Sequence, residues 1–219
     1  MIIGITGKAH AGKDTAADII CAEFPVARAA FAHNLKLACQ IIFGFSHDQL
    51  WGHLKETFDP RWGFTPREAL QRVGQIMRLH FSSFVWIDSL SSGMRFESVQ
   101  RYVITDVRHD NEAKWVRDRG IIIKIQRAAE GARHGADHIS EAGIDEIHID
   151  HVIDNDGTLN DLANTIIPII ENELGMKALR NQQDDDGCPQ VGNAGRHSED
   201  FYDDGDCAFC GRKGVENGE

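Results

Sequence analysis

The stretch MIIGITGKAHAGKDTAADII, Met1 to Ile20, decides the fold. Its opening run is apolar, rich in isoleucine, and closes on a glycine turn, which reads as a buried strand. From Lys13 to Phe24 the residues Ala16, Ala17, Ile19, Ile20 and Phe24 recur on a helical period and make one apolar face. Between the two lies GKAHAGKDT, Gly7 to Thr15, which nearly spells the phosphate-binding pattern G-x-x-x-x-G-K-[ST]. Strand before and helix after is the context that pattern requires.

Gly7 and Gly12 permit backbone angles that turn amide groups inward toward phosphate oxygens. Lys8, His10 and Ala11 fill the loop between them, and the helix from Lys13 adds its positive N-terminal end. Lys13 supplies an ammonium for the β- and γ-phosphates of ATP. The mismatch is Asp14, an acid where a hydroxyl should follow the lysine. With a metal between it and the phosphates the acid is tolerable, because a carboxylate oxygen is a hard ligand suited to Mg²⁺. Thr15 offers a hydroxyl one step on, to the α-phosphate or the metal shell. Asp14 would equally suit a helix N-terminus as a cap, and the residues leave both readings open.

A second acid, Asp106, ends the apolar run YVITD (Tyr102 to Asp106), where open α/β sheets place ligand-binding groups. It is a candidate to hold Mg²⁺ through water or to orient the attacking oxygen. Arg108, two residues on, suits a phosphate. Asp110 and Glu112 are placed to anchor Arg108, and Asp110 also to cap the next helix.

Further strands are expected at Val26 to Phe31, Ile121 to Ile125 and His151 to Asn155, and helices at Asn34 to Gly44, Thr65 to about Phe81, Trp86 to Ser98, Asn111 to Arg119 and Thr158 to Leu174. Thr65 can cap its helix, with Pro66 in the first turn. Gly120 stops one helix, and Pro168 interrupts the hydrogen-bond ladder of the last. Strands alternating with helices argue for an α/β domain around a parallel sheet. We place that domain at 1–175. Residues 176–219 are acidic, glycine-rich and poor in aliphatics, a composition that cannot bury enough surface to fold alone.

The 219 residues carry a net charge of −11, which argues against a nucleic-acid groove, while a small anionic ligand needs only local cations. No apolar run is long enough to span a bilayer, and MIIGITGK is too short for a secretory signal. Five cysteines, an odd count, fit a reducing cytoplasm. Cys21 and Cys39 fall in apolar helical patterns and are read as packing residues. Cys207 and Cys210 form half of a zinc knuckle that Cys188 and His197 would complete. The competing reading is a disordered tail with free thiols.

Several separated motifs together resemble the phage deoxynucleoside monophosphate kinases of the P-loop kinase class. They are GKAHAGKDTAADII, FAHNLKLACQIIFGF, TPREALQRVGQIMR with FVWIDSL, VITDVRHDNEAKWVRDRGIIIKIQR, and DHISEAGIDEIHIDHVIDNDGTLNDL. The resemblance covers residues 1 to about 174. It implies a three-layer fold with a parallel five-stranded sheet in the order 2-3-1-4-5, with helical substrate-binding and lid insertions. It implies transfer of the γ-phosphoryl of ATP, with Mg²⁺, to a deoxynucleoside monophosphate, in a phage-infected host's cytoplasm if phage-encoded. By this resemblance Gly74, Gln75 and Trp86 lie near the monophosphate site, and Lys36, Arg67, Arg72, Arg108 and Glu112 are candidates to bind that substrate. Arg127 with His138 to Glu141 resembles the lid over ATP. Lys13, Asp106 and Arg108 would carry catalysis. A homodimer is left open.

The chain departs from some relatives at Ala9 and His10, where they carry basic residues, and at Gln75, where Thr is frequent; both bear on base preference. Trp86 reads equally well as core, and Arg67 and Arg72 as solvated. Two other functions stay open: a P-loop kinase acting on a coenzyme or sugar precursor, and an ATP-binding regulatory module without transfer.

Overall fold

Alternation along β1 (Ile2–Thr6) divides the domain into two cores. Ile3 and Ile5 enter one core, with Val103, Ile121, Ile123, Ile125 and Ile153. Ile2 enters the other, with Ile104 and Ile122. Strands buried on both faces read as nearly continuous apolar runs, as these do. The computed structural model describes residues 1–94, 100–128 and 148–181, and the backbone of two short strands at 202–203 and 206–207.

β1 is the centre of a parallel sheet. β3 (Tyr102–Ile104) and then β2 (Ala27–Ala29) lie on one side of it. On the other are β4 (Gly120–Gln126) and β5 (His151–Asp154). The order 2-3-1-4-5 is the expected one. Helices α1 (Lys13–Glu23) and α7 (Leu159–Leu174) cover the first face. The second is covered by α2 (His33–Phe43), the single turn α3 (His47–Leu50), α4 (Pro66–His80), α5 (Val85–Met94) and α6 (Asp110–Arg117).

Several boundaries move for identifiable reasons. β2 is shorter than expected because the amides of Phe31 and Ala32 leave the ladder and donate to Asp106. Gly120 opens β4 rather than only ending α6, and a Cβ there would fall 1.9 Å from the Ile2 carbonyl oxygen. At Gly4 a Cβ would meet Val116 of α6 at 2.8 Å, so its absence lets that helix lie close to the sheet. Pro168 sits inside α7 on the exposed side, where water can satisfy the carbonyl it leaves unbonded. Thr65 caps α4 in a capping box with Glu68, with Pro66 in the first turn.

Residues 45–64 show no periodic pattern that predicts an element. They hold α3, whose Ser46–Gln49 capping box closes a single turn, and a 3₁₀ turn at His53–Glu56. Asp59 then knots the following loop, accepting from the Arg61 amide and guanidinium and from Gln49. At the far end the chain stays on the domain past Gly175. Ala178 is fully buried in the first core, and Arg180 donates to Glu23 at the end of α1. The strands Tyr202–Asp203 and Asp206–Cys207 pair antiparallel. Among the described residues no helix is long and apolar enough to cross a membrane.

Candidate active site at the phosphate loop

The loop after β1 has the geometry its glycines demand. Gly7 has φ 140° and Gly12 φ 100°, and His10 is also left-handed at φ 64°. A Cβ on Gly7 would lie 2.1 Å from the Ile125 carbonyl oxygen. One on Gly12 would lie 2.2 Å from Asn155 Nδ2. Both positions therefore exclude side chains by angle and by space. Lys13 folds back over the loop, its Nζ 2.7 Å from the Gly7 carbonyl and 2.6 Å from that of Lys8. Lys8 and His10 face solvent, while Ala11 is buried.

Asn155, which carried no role in the sequence reading, clamps this loop. It is 5% exposed and donates from Nδ2 to the Ala11 carbonyl at 2.8 Å. Its own carbonyl accepts from Arg127 Nε at 2.6 Å. The side chain of Arg127 is thereby fastened next to the loop. The only sequence sign of Asn155 was its place in NDGTL, just past a strand end.

Asp14 and Thr15 are exposed at the start of α1. Asp14 is ion-paired with Arg28 of β2, which also reaches Asp18 one turn along α1. Asp106 spans the gap between β3 and α2: each of its oxygens accepts an amide at 2.9 Å, from Phe31 and from Ala32. Thr6 ties β1 to the same turn through Val107 at 2.8 Å.

Glu112 is 2% exposed and organises the segment that carries Arg108. One oxygen accepts the amides of Arg108 and His109 at 3.0 and 3.2 Å, and the other accepts Arg78 of α4 at 2.8 Å. Burial raises its pKa, with Asp106 adding to the rise and the Arg108 amide and Arg78 opposing it. The His109 ring is pushed down to about 4 by burial and by the charges of Arg78 and Arg108.

Cations from four segments gather beside this turn. Lys36 of α2 has its ammonium 5.3 Å from the Trp51 ring centroid and interacts with Asp106, Asp14, Arg28 and Arg108. Burial lowers its pKa. Lys55, in the 3₁₀ turn, lies among Lys36, Arg67 and Arg108 and is pushed down to about 8, mainly by burial. Arg67 of α4 is held by Glu56. Lys55 was missed because a lysine in a short polar turn has no periodic or motif signature; only packing reveals its burial.

The other described sequence candidates on α4 and α5 make their own contacts. Arg72 pairs with Glu68 at 3.7 Å and stacks on Phe64. Gly74 and Trp86 meet inside the second core, where Trp86 donates to the Gly74 carbonyl at 3.3 Å. Gln75 is exposed on α4. His138, Glu141, Cys188, His197 and Cys210 lie outside the described residues, as does the Cys207 side chain. Among the described residues no group of three or more His, Cys, Asp or Glu is arranged to hold a metal.

The chain matches the family model described as "Deoxynucleotide monophosphate kinase" over residues 61–166. A curated protein of Acanthamoeba polyphaga mimivirus, described as "Putative deoxynucleotide monophosphate kinase", is 33% identical over 196 residues, spanning 80% of this chain and 99% of its own. Among solved structures, shikimate kinase from Aquifex aeolicus aligns at 14% identity and TM-score 0.45, over 80% of this chain and 99% of that one. TT1252 from Thermus thermophilus aligns at 17% and 0.47, over 78% and 97%. Its likeness to the viral relative, across nearly the whole of that protein, makes this chain a member of the deoxynucleotide monophosphate kinase family.

Proposed function

We propose that the protein transfers the γ-phosphoryl group of ATP to the phosphate of a deoxynucleoside monophosphate, giving ADP and the deoxynucleoside diphosphate. The observation that carries this reading is the cation cluster of Lys36, Lys55, Arg67 and Arg108 beside a glycine-cradled phosphate loop. One phosphate site would take the donor and the other an anionic acceptor. A net charge of −11 makes such a concentration of cations a local feature.

The loop fits a triphosphate: Gly7 and Gly12 hold the left-handed backbone angles that curl it, and Lys13 lies across it. Mg²⁺, when bound, would neutralise phosphate charge; the exposed Thr15 and Asp14, the latter paired with Arg28, would hold it. Asp106 instead holds the acceptor side together through the Phe31 and Ala32 amides. Lys13 and Arg108 oppose the charge on the transferring group, and Arg127 lies at the edge of the donor site. Phosphoryl transfer asks little covalent help, so positioning and charge carry the rate.

The test is coupled ADP release with ATP and dGMP, dTMP, dCMP and dAMP supplied separately. Acceptor-dependent release with at least one of them supports the reading. Release only with another phosphate acceptor, or ATP binding with no release, overturns it in favour of a different small-molecule kinase or a binding module.

A further inference from the structure

We infer that Trp51 is a positioning residue of the acceptor site: its indole holds the Lys36 ammonium in place without neutralising it, so that the full charge meets the acceptor's phosphate. The inference rests on the proposed function for the anion that Lys36 receives.

Trp51 closes the single turn α3, and its backbone is fixed on both sides. Leu50, just before it, is fully buried in the second core. Gly52, just after it, donates its amide to the Asp48 carbonyl at 3.0 Å, and the Trp51 amide donates to that of His47 at 2.7 Å. Gln49 ties the same turn to Asp59 at 3.0 Å. The His47 ring lies stacked on the indole, with 5.0 Å between centroids and 16° between planes.

Helix α2 meets this ring with His33 and Lys36, which share one face of the helix. The His33 ring is 6.3 Å from the indole, and the Lys36 ammonium is 5.3 Å from its centroid. The backbone makes that end of α2 part of the site. The Lys36 amide donates to the Ala32 carbonyl at 3.0 Å, and the Ala32 amide donates to Asp106 at 2.9 Å. Among the described residues the Lys36 ammonium makes no hydrogen bond and no ion pair, and the indole is what it lies against.

An ammonium within about 6 Å of an indole centroid is attracted by the negative face of the ring. A carboxylate would hold the lysine as firmly, but it would cancel the charge and compete with an entering phosphate. Arg67 is held in that way, by Glu56. The indole has no net charge and does not compete. It also restrains a long flexible stem, so less freedom is lost when phosphate binds.

Three measurements test this. In the first, the lysines are reductively ¹³C-methylated, the Lys36 resonance is assigned with Lys36→Arg, and inorganic phosphate is titrated. The Lys36 signal should be displaced upfield by the indole ring current and lose that displacement in Trp51→Leu; an unmoved signal overturns the contact. The phosphate Kd read at this signal should rise roughly fivefold or more in Trp51→Leu; an equal Kd overturns the role. In the second, the monophosphate that supports turnover is varied. Trp51→Leu should raise its KM more than it lowers kcat and leave the KM for ATP unchanged. Trp51→Phe should recover most of the loss, and Trp51→Asp should be worse than Trp51→Leu. A Trp51→Phe variant no better than Trp51→Leu, or a Trp51→Asp variant that binds the acceptor more tightly, overturns the inference. In the third, fluorinated tryptophans are placed at position 51 alone, which keeps the ring's shape and packing while weakening its negative face. Acceptor KM and phosphate Kd should climb with each added fluorine; a flat series overturns the cation contact. Absence of turnover with every monophosphate defeats the kinase reading, and the phosphate titrations then still decide the role of Trp51.

Discussion

Arg78 of α4 donates to Glu112 of α6 across 2.8 Å, and the Glu112 side chain is only 3% exposed. The pair joins α4 to the turn that presents Arg108. Removing the cation alone strands a buried carboxylate. Arg78→Met is expected to cost about 3–5 kcal/mol of stability in urea unfolding, and Arg78→Met/Glu112→Leu clearly less. A single variant as stable as the parent would show that the pair does not hold the turn.

His109 gives a pH signature. Burial, with the charges of Arg78 and Arg108, pushes its ring down to about 4 from the ordinary histidine value of 6.5. Below pH 6.5 the unfolded chain binds a proton that the folded chain refuses. The stability tied to the neutral ring is present above pH 6.5 and drains as the pH falls toward 4. With allowance for partial exposure the loss is about 1–3 kcal/mol. Chemical denaturation from pH 7.5 to 5 should show the decline, and His109→Gln should flatten it.

The phosphate loop should not tolerate a methyl group at Gly12. Gly12→Ala imposes a left-handed residue and drives its Cβ into Asn155 Nδ2. We expect ATP binding to fall below detection by calorimetry. Asn155→Ala keeps the backbone angles and loses the bond to the Ala11 carbonyl. It should weaken ATP binding and cost about 1–3 kcal/mol of stability. Equal ATP affinity in Asn155→Ala and the parent would remove the clamp from the account.

Lys13→Ala is expected to abolish transfer with circular dichroism and melting unchanged; near-normal turnover would defeat the assignment of the loop. Asp14→Ala should instead shift the Mg²⁺ titration of activity to higher concentration. If the titration does not move, Asp14 serves only the helix end and Arg28.

Much of the fold was legible because the signals were long and repeated. The isoleucine strands, the glycine loop and the Thr65–Pro66 helix start each combine pattern with a chemical stop or start, and each appears where expected. The candidate site was legible where residues follow a motif, as Lys13 and Asp106 do. It was not legible where a residue's place depends on what comes alongside in space. Lys55 is a polar residue in unremarkable local sequence, Asn155 shows only through its place in NDGTL, and the bond from Trp86 to the Gly74 carbonyl comes from packing. The single turn at His47–Leu50 is too short for periodicity to register.

Helix α1 is anchored at both ends. Asn155 grips the loop at its start, and Arg180 grips Glu23 at its finish, through both the guanidinium and the backbone amide. A helix of 11 residues so held links the loop to the chain beyond Gly175. If filling the loop stiffens that helix, the Arg180 amide hydrogen, bonded to Glu23, should exchange with deuterium more slowly when ATP is present.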